Sequence, residues 1–489
     1  MTLPKPIIIA FWIQKGGAAK TTHAVNFASM LASKGYKTLL VDADPQCDST
    51  FFLCDNMVHP ADSEIDNYNA FLNEGLTREE IASKVPRTLF ESIEAVRLDT
   101  PGGIRAIKSK LIFNWPGKGG LWLIPGSRNF SRWDVELGYA NANLEKPHYK
   151  KYPGAIYDAV MKSSVNLQRD PQAPKETADF IIFDLSASSG LLNCCLYMSS
   201  HFTIMPVVPD KLTVHDIKIS LDTITDWHKL AKEFINKTAE HSHYPFPPHL
   251  PKFLGYIIGR YDIGGLNNFG KSGCKGSIGE NGVVEDDSVP NNVKFLFDLA
   301  HKEVESIIPY FRGMSPPLVL DSQKLFNLAN IRTFNQCGQL SQLLGIPICL
   351  LSKEDMVKYN NERAIERMGA GQAKNTMITV KEFKEIYNAL ANNVISLIQS
   401  AGFKINHYAL SEPLKEIPKH IVDIRSKFPQ VNSSRKKAKI NIKDRIDKKL
   451  GNEETSLFDE LALVSSRQLP LSTQKRGPYK RKVTMPEKD

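Results

Sequence analysis

The sequence predicts an α/β fold in which a doubly wound, mostly parallel β-sheet is flanked by helices. Short apolar runs typical of buried parallel strands recur along the chain and alternate with helical patterns. The first run, starting at Ile7, leads into a Gly-Gly turn and a helix, and two later runs end in aspartates. Ligands bind open α/β sheets beside the carboxyl ends of the strands, so we expect the functional site there.

The composition is that of a soluble globular protein. The chain has 489 residues, of which 42% are hydrophobic and 24% are charged. No apolar run approaches the ~18 residues of a membrane span, and the first run is too short for a signal peptide. The seven cysteines show neither CxxC spacing nor a cluster with histidines, which argues against a zinc site and a disulfide framework. We therefore predict a cytoplasmic location.

Residues 7–22, IIIAFWIQKGGAAKTT, predict a strand, a phosphate-binding loop and a helix N-terminus. Glycines permit backbone conformations and close approaches that a side chain would block. The N–H groups that follow and the helix dipole face an anion. Lys20 can neutralise phosphate charge, and the Thr21 hydroxyl can ligate Mg²⁺. The residues predicted to cradle the phosphates are Lys15, Gly16, Gly17, Ala18, Ala19, Lys20, Thr21 and Thr22.

Two later strands are predicted to bring carboxylates to the same edge of the sheet. After a helix over 22–34, the strand that starts at Lys37 ends in Asp42 and Asp44. The Asp-x-Asp spacing places both side chains on one side of an extended chain. One carboxylate can hold the water shell of Mg²⁺ while the other orients an attacking water. The strand over 179–184 ends in Asp184, which can bind Mg²⁺ through water.

The remaining apolar patterns predict further strands over 121–124, 202–208 and 253–260, and a helix over 380–399. Residues 51–120 contain helical patches and Pro/Gly-rich turns, and they suggest no chemistry.

These motifs, in this order, resemble the ParA/MinD family of deviant Walker A ATPases. The second lysine at the head of the loop, Lys15, is the mark of that family's Walker A box. Gln14 and Ala19 stand at the two glycine positions of the ordinary P-loop. The segment over 42–46, DADPQ, resembles the Walker A′ motif, although Cys47 stands where the family continues with Gly. The strand ending in Asp184 has the form of a Walker B box, but residues 185–190, LSASSG, lack the family's usual prolines.

The resemblance implies an ATPase that uses ATP and Mg²⁺ and forms an ATP-sandwich homodimer. It implies that Lys15 reaches the nucleotide of the other subunit, that Asp44 positions the attacking water, and that Asp42 and Asp184 hold the metal shell. By the same resemblance the dimer binds DNA non-specifically on the nucleoid. A ParB-like adaptor stimulates hydrolysis, and the process is plasmid or chromosome partition. Two alternatives remain open: a nucleotide switch that regulates a partner in transcription, mobile-element maintenance or defence, and a MinD-like membrane-positioning ATPase.

The chain is predicted to divide into a ParA-like ATPase domain over 1–405 and a basic, largely flexible extension over 406–489. Compared with the family, insertions are expected at about 51–120, 141–177 and 235–295. From residue 431 onward, 15 Lys and Arg stand against 8 Asp and Glu, whereas the first 430 residues carry 47 against 45. Dense positive charge favours contact with DNA or RNA phosphates. A solvated charge run and a helix that docks on a partner or a membrane are the alternatives. Residues 457–464 are short and acidic, unlike a membrane-targeting helix, so a membrane partner is not expected.

Overall fold

The computed structural model describes residues 6–54, 88–97, 104, 106–107, 109–115, 119–165, 167, 177–239, 243–261, 277–278, 284–285, 291–321, 323–355 and 370–405. Within these ranges, eight strands form one sheet and two short strands pair separately. The strands are β1 (Ile7–Phe11), β2 (Lys37–Asp42), β3 (Lys110–Trp115), β4 (Gly119–Ile124), β5 (Phe180–Asp184), β6 (Phe202–Val207), β7 (Lys252–Tyr261), β8 (Ser277–Ile278), β9 (Val284–Glu285) and β10 (Asn327–Arg332).

The large sheet has the order β10-β7-β6-β1-β5-β2-β4-β3. All neighbouring strands run parallel except β3, which pairs antiparallel with β4 at the edge. The chain moves from β1 past β5 to β2, and later returns from β5 past β1 to β6, so the strand order reverses beside β1. This arrangement confirms the predicted doubly wound α/β fold, and the reversal is where such sheets bind ligands.

Helices cover both faces of the sheet, and each face has its own apolar core. Alternate residues of β1 separate the two: Ile8 and Ala10 belong to one core, and Ile9 and Phe11 belong to the other. The helices are α1 (Lys20–Ser33), α2 (Asp48–Leu53), α3 (Leu89–Arg97), α4 (Ser131–Ala142), α5 (Tyr152–Ser164), α6 (Leu191–Ser199), α7 (Thr213–Thr238), α8 (Asn291–Gly313), α9 (Asn335–Leu344) and α10 (Ala370–Ser400). Residues of α1, α9 and α10 pack in the core of Ile9, whereas residues of α3 to α8 pack in the core of Ile8.

The continuous apolar strands occur where they were predicted, because strands buried on both faces lack a polar alternation. Two strands of the large sheet were not predicted. One is the antiparallel edge strand β3. The other is β10, whose sequence NLANIR mixes polar and apolar residues. The strand β7 lies inside the range 235–295 that was expected to be an insertion, yet it pairs with β6 and β10 within the sheet. Residues 406–489 lie outside the described residues, so the predictions for the basic extension remain predictions.

The sheet register places the predicted acidic residues together. β1, β5 and β2 are consecutive neighbours, with Phe11 opposite Asp184 and Asp42 opposite Asp184. Their carboxyl ends therefore bring the loop after β1 next to both aspartates.

Candidate nucleotide site

The loop after β1 has the left-handed turns that a phosphate cradle needs. Gly17 has φ 73° and Ala19 has φ 59°, and Ala19 caps the N-terminus of α1. A Cβ on Gly16 would meet no protein atom within 4 Å, so this glycine leaves space facing outward from the loop. Ala19 stands where the family pattern has glycine, and it adopts the backbone conformation that glycine favours. Alanine at this position therefore carries backbone strain that glycine would avoid.

Lys20 points back into the loop. Its ammonium donates a hydrogen bond to the Lys15 carbonyl oxygen at 2.8 Å, and the residue is only 7% exposed. Burial lowers the pKa of Lys20, and the negative charges of Asp184 and Asp44 oppose that shift. The ammonium is therefore held inside the loop, near Asp44 and Asp184, two of the three predicted aspartates.

Asp184 offers one oxygen toward the loop. Its Oδ2 accepts a hydrogen bond from the Ser49 hydroxyl at 2.6 Å. Its Oδ1 is buried without a hydrogen-bond partner of standard geometry among the described residues. Burial raises the pKa of Asp184 to about 7, while the hydroxyls of Ser49 and Thr21 and the charge of Lys20 lower it. A buried carboxylate with an oxygen that accepts no hydrogen bond is unfavourable unless a cation or a donor completes it.

The donor set at this point fits Mg²⁺. A hydroxyl from Thr21 and a carboxylate oxygen from Asp184 are hard ligands, and Mg²⁺ normally keeps several waters and phosphate oxygens beside one or two protein ligands. The described residues contain no cluster of three or more His, Cys, Asp or Glu side chains able to hold a metal. A metal here would therefore depend on the nucleotide for part of its coordination.

Asp42 and Asp44 have different surroundings. Asp42 is fully buried: its Oδ2 accepts from the N–H and hydroxyl of Thr50 at 2.8 and 2.6 Å, and its Oδ1 accepts from the Asp44 N–H at 3.3 Å. Asp44 lines the cleft, and its Oδ1 accepts from the Gln46 N–H at 2.9 Å. Asp42 thus holds the turn that presents Asp44. A place for Asp42 in the metal shell stays a prediction.

Cys47, the other departure from the family pattern, also has a left-handed backbone, with φ 59° and ψ 30°. It precedes α2, whose first turn supplies Ser49 and Thr50 to the two buried aspartates. This Ser-Thr pair was not predicted from the sequence. Its position just after an Asp-x-Asp turn, at the start of a helix, is the signal that could have found it.

Lys15 is held by two carboxylates at the start of α7. Its ammonium lies 2.8 and 2.7 Å from the oxygens of Asp210 and 2.8 Å from Asp216 Oδ2. Burial lowers the pKa of Lys15, but the hydrogen bonds and charges of Asp210 and Asp216 outweigh it, so the pKa is raised. Within its own subunit, Lys15 is therefore tied to α7.

A cleft of about 810 Å³ runs along the loop. One wall was not predicted: it comes from the β10–α9 connection and the exposed side of α9. The lining residues are Gly16, Gly17, Ala18, Ala19, Lys20, Thr21, Thr22, Asp44, Pro45, Gln46, Asp48, Ser131, Asp134, Ser186, Ala187, Ser188, Leu192, Thr333, Phe334, Gly338, Gln339 and Gln342. Lys15, Asp42 and Asp184 are not among them. The polar strand β10 gave no apolar signal that would have identified this wall.

The sequence of this chain is similar to those of several known proteins. Residues 7–100 match the model of an AAA domain. An uncharacterized protein of Methanocaldococcus jannaschii is 26% identical over 255 residues, 52% of this chain and 73% of that protein. The sporulation initiation inhibitor protein Soj of Bacillus subtilis is 24% identical over 44% of this chain and 64% of its own length. The chromosome partitioning protein ParA of Myxococcus xanthus is 59% identical over 39 residues, 8% of this chain and 14% of its own.

Among solved structures, an ATP complex of McdA from Cyanothece aligns with 82% of this chain and 98% of its own, at 13% identity and a TM-score of 0.41. No described helix is both long and apolar enough to cross a membrane. The two-lysine phosphate loop lies within the matched AAA domain, and the relatives include Soj and ParA proteins. These matches support the predicted resemblance to the ParA/MinD family of P-loop ATPases.

Proposed function

We propose that this protein is a cytoplasmic Mg²⁺-dependent ATPase of the ParA type. Two copies close around two ATP molecules, the dimer binds DNA non-specifically, and hydrolysis resets it. A ParB-like adaptor stimulates hydrolysis, and the cycle serves plasmid or chromosome partition.

The observation that carries the ATPase proposal is the convergence of three elements on one cleft. Lys20 and Thr21 follow β1 and line the cleft, as does Asp44, which follows β2. Asp184 ends β5 outside this lining, and its carboxylate interacts with Thr21 and Lys20. These groups come from 165 residues of sequence and meet at the strand-order reversal. Phosphoryl transfer needs mainly positioning and charge stabilisation, and this set supplies both.

Each residue has a role that follows from its placement. The loop N–H groups and Lys20 bind the β- and γ-phosphate oxygens, and Thr21 and Asp184 hold Mg²⁺. The ion, when bound, neutralises charge on the transferred phosphate. Asp44 accepts a hydrogen bond from the attacking water, and Asp42 fixes the turn on which Asp44 stands.

The dimer proposal rests on Lys15. The sequence resemblance assigns this lysine to the neighbouring subunit's nucleotide, and its ammonium does not line its own cleft among the described residues. Asp210 and Asp216 hold it, and on dimerisation it can exchange these carboxylates for phosphate oxygens of a second copy. Both sets of partners are anionic, so the exchange keeps the lysine charged.

The central experiment measures mass in solution with a non-hydrolysable ATP analogue and Mg²⁺. We expect a dimer for the wild type and a monomer for Lys15→Ala, with analogue binding retained by the variant. A wild type that binds the analogue and stays monomeric would contradict the sandwich dimer. A wild type that binds no nucleotide would contradict the ATPase itself.

DNA binding is tested on the same dimer by filter binding at several salt concentrations. Deleting 431–489 should weaken binding and reduce its salt dependence, since fewer phosphates are neutralised. An identical salt slope would place the DNA surface within 1–430. A nucleotide-bound dimer with no affinity for DNA would favour the alternative of a switch that regulates a protein partner, and pelleting with liposomes would favour membrane positioning.

A further inference from the structure

The loop that follows the Asp184 strand borders the cleft. Residues 186–190, here called the serine loop, connect β5 to α6, and Ser186, Ala187 and Ser188 line the cleft. This is the segment in which the family's prolines are missing. A loop of serine, alanine and glycine has many accessible backbone conformations, so contacts with other parts of the protein must restrict it.

Side chains from three elements bind the carbonyl oxygens of the serine loop. Asn193 Nδ2 donates to the Ser186 and Ser188 carbonyls at 3.0 and 2.7 Å. The Trp12 indole N–H donates to the Ser188 carbonyl at 3.3 Å, and the Trp227 indole N–H donates to the Ser189 carbonyl at 3.2 Å. Trp12 follows β1, Asn193 lies in α6, and Trp227 lies in α7.

The two tryptophans are themselves rigid. Their ring centroids are 4.5 Å apart, and Tyr197 packs on both at 5.6 and 5.5 Å. All three side chains are at most 3% exposed. Buried aromatic rings in mutual contact have little freedom to change rotamer, so their N–H groups are fixed points beneath the loop.

The other end of the serine loop is fixed from α4. Asp134 Oδ1 accepts from the Leu192 N–H at 2.6 Å, in the first turn of α6. A Cβ on Gly190 would lie 2.5 Å from the same carboxylate, so any larger residue there would displace Asp134. The loop is thus bound at 186, 188 and 189 by donors and at its exit by an acceptor.

The serine hydroxyls are left with free donor capacity. Ser186 Oγ accepts from Asn193 Nδ2 at 3.0 Å and from the Ser188 N–H at 3.3 Å, and Ser188 Oγ accepts from the Gly190 N–H at 2.9 Å. Neither hydroxyl donates a hydrogen bond among the contacts of the described residues. Each therefore retains an O–H for an anion or a water in the cleft.

We propose that Trp12, Asn193 and Trp227 are positioning residues for ATP hydrolysis, which hold the serine loop so that Ser186 and Ser188 present their O–H groups to the γ-phosphate end of the cleft. The hydrogen bonds from these three donors restrict the backbone conformations of the serine loop, as prolines would. The inference rests on the proposed ATPase. It concerns the chemical step, so nucleotide affinity should be almost unaffected.

The test compares Trp12→Phe and Trp227→Phe with a matched control, Trp133→Phe. Trp133 is equally buried, at 1% exposed, but its indole N–H has no hydrogen-bond partner in the described part of the chain. Single-turnover hydrolysis should slow about fivefold in each of the first two variants, as expected for one lost hydrogen bond, with analogue Kd within about twofold of the wild type. The control should match the wild type in both. Equal hydrolysis rates in all four proteins, or equal losses of rate and affinity, would overturn the inference.

Asn193→Asp provides a second measurement, the pH dependence of hydrolysis, which a purely structural role of Asn193 would leave unchanged. An ionised carboxylate repels the Ser186 and Ser188 carbonyls, whereas a protonated one can donate to the Ser188 carbonyl. The hydrolysis rate relative to the wild type at the same pH should therefore rise as pH falls from 8 to 5.5. A ratio that is flat with pH would overturn the inference. A wild type that does not hydrolyse ATP would instead contradict the proposed function, so the two failures are distinct.

Discussion

Replacing Asp216 with Asn should strengthen nucleotide-dependent dimerisation. Asp216 lies in the first turn of α7 and binds the Lys15 ammonium at 2.8 Å. If Lys15 must leave α7 to reach a second subunit, each ion pair broken on closure subtracts from the free energy of dimerisation. The Asn side chain has nearly the same shape, so the substitution removes charge with little change in packing.

The magnitude follows from the exposure of the pair. The side chains of Lys15 and Asp216 are 13% and 18% exposed, which places the pair between a solvated and a buried one. Asp210, at 42% exposed, still holds Lys15 in the variant. A value of about 1 kcal/mol for the lost pair is appropriate to such partly screened sites. Two lysines move per dimer, so the dimer gains about 2 kcal/mol, or about thirtyfold in Kd.

The assay is sedimentation equilibrium with a non-hydrolysable analogue over a range of protein concentrations. Asp226→Asn is the control, because Asp226 lies on the same helix and pairs with Lys229 at a site that is 71% exposed. We expect the control to dimerise like the wild type. A dimer Kd for Asp216→Asn that is unchanged or weaker would refute the idea that Lys15 is released on closure.

Four further predictions concern the cleft. Lys20→Ala should abolish ATP binding measured by calorimetry, since the buried ammonium is the charge inside the cradle; retained affinity would move the site elsewhere. Asp44→Ala should keep the analogue-bound dimer but lower the rate of hydrolysis at least about a hundredfold. Normal turnover would show that another residue positions the attacking water. Ala19→Gly should raise the free energy of unfolding in urea by up to about 1 kcal/mol, because φ 59° strains alanine; a loss of stability would show that the strain is absent. The pKa of Asp184 is raised to about 7 from the ordinary value of 3.8, so the folded protein binds this proton more tightly than the unfolded chain does. Without Mg²⁺, the stabilisation that the protonated Asp184 provides is therefore present below pH 4 and is lost as pH rises through 7. Thermal midpoints from pH 5 to 8 should therefore fall less for Asp184→Asn than for the wild type, and equal slopes would contradict this origin.

Much of the fold could be predicted because the central strands are buried on both faces and therefore carry continuous apolar runs. The strands β1, β2, β5 and β6 gave that signal. The strand β10 did not, since two asparagines and an arginine interrupt its apolar residues, although its four central residues are buried. The antiparallel strand β3 was also missed, because its place at the edge depends on pairing with β4.

In the candidate site, too, some features were predictable from the sequence and others were not. Local spacing was enough to identify the phosphate loop and the aspartates at the ends of β2 and β5, because the loop chemistry is contiguous and strand ends are common ligand positions. The role of Asp42 in orienting the Asp44 turn depends on Thr50, and the binding of Lys15 by Asp210 depends on contacts across 195 residues. Such contacts between distant residues cannot be recognised from a single sequence.

The sequence by itself determined the α/β class, the strand–loop–helix that is predicted to bind phosphate and the resemblance to the ParA/MinD family, since each depends on short-range order. Only the tertiary structure decided that Ala19 and Cys47 adopt glycine's conformation, that Lys15 is held by α7, and that two tryptophans and an asparagine fix the serine loop. The physical reason is that hydrogen bonds, ion pairs and backbone strain depend on distances that arise after distant segments pack together.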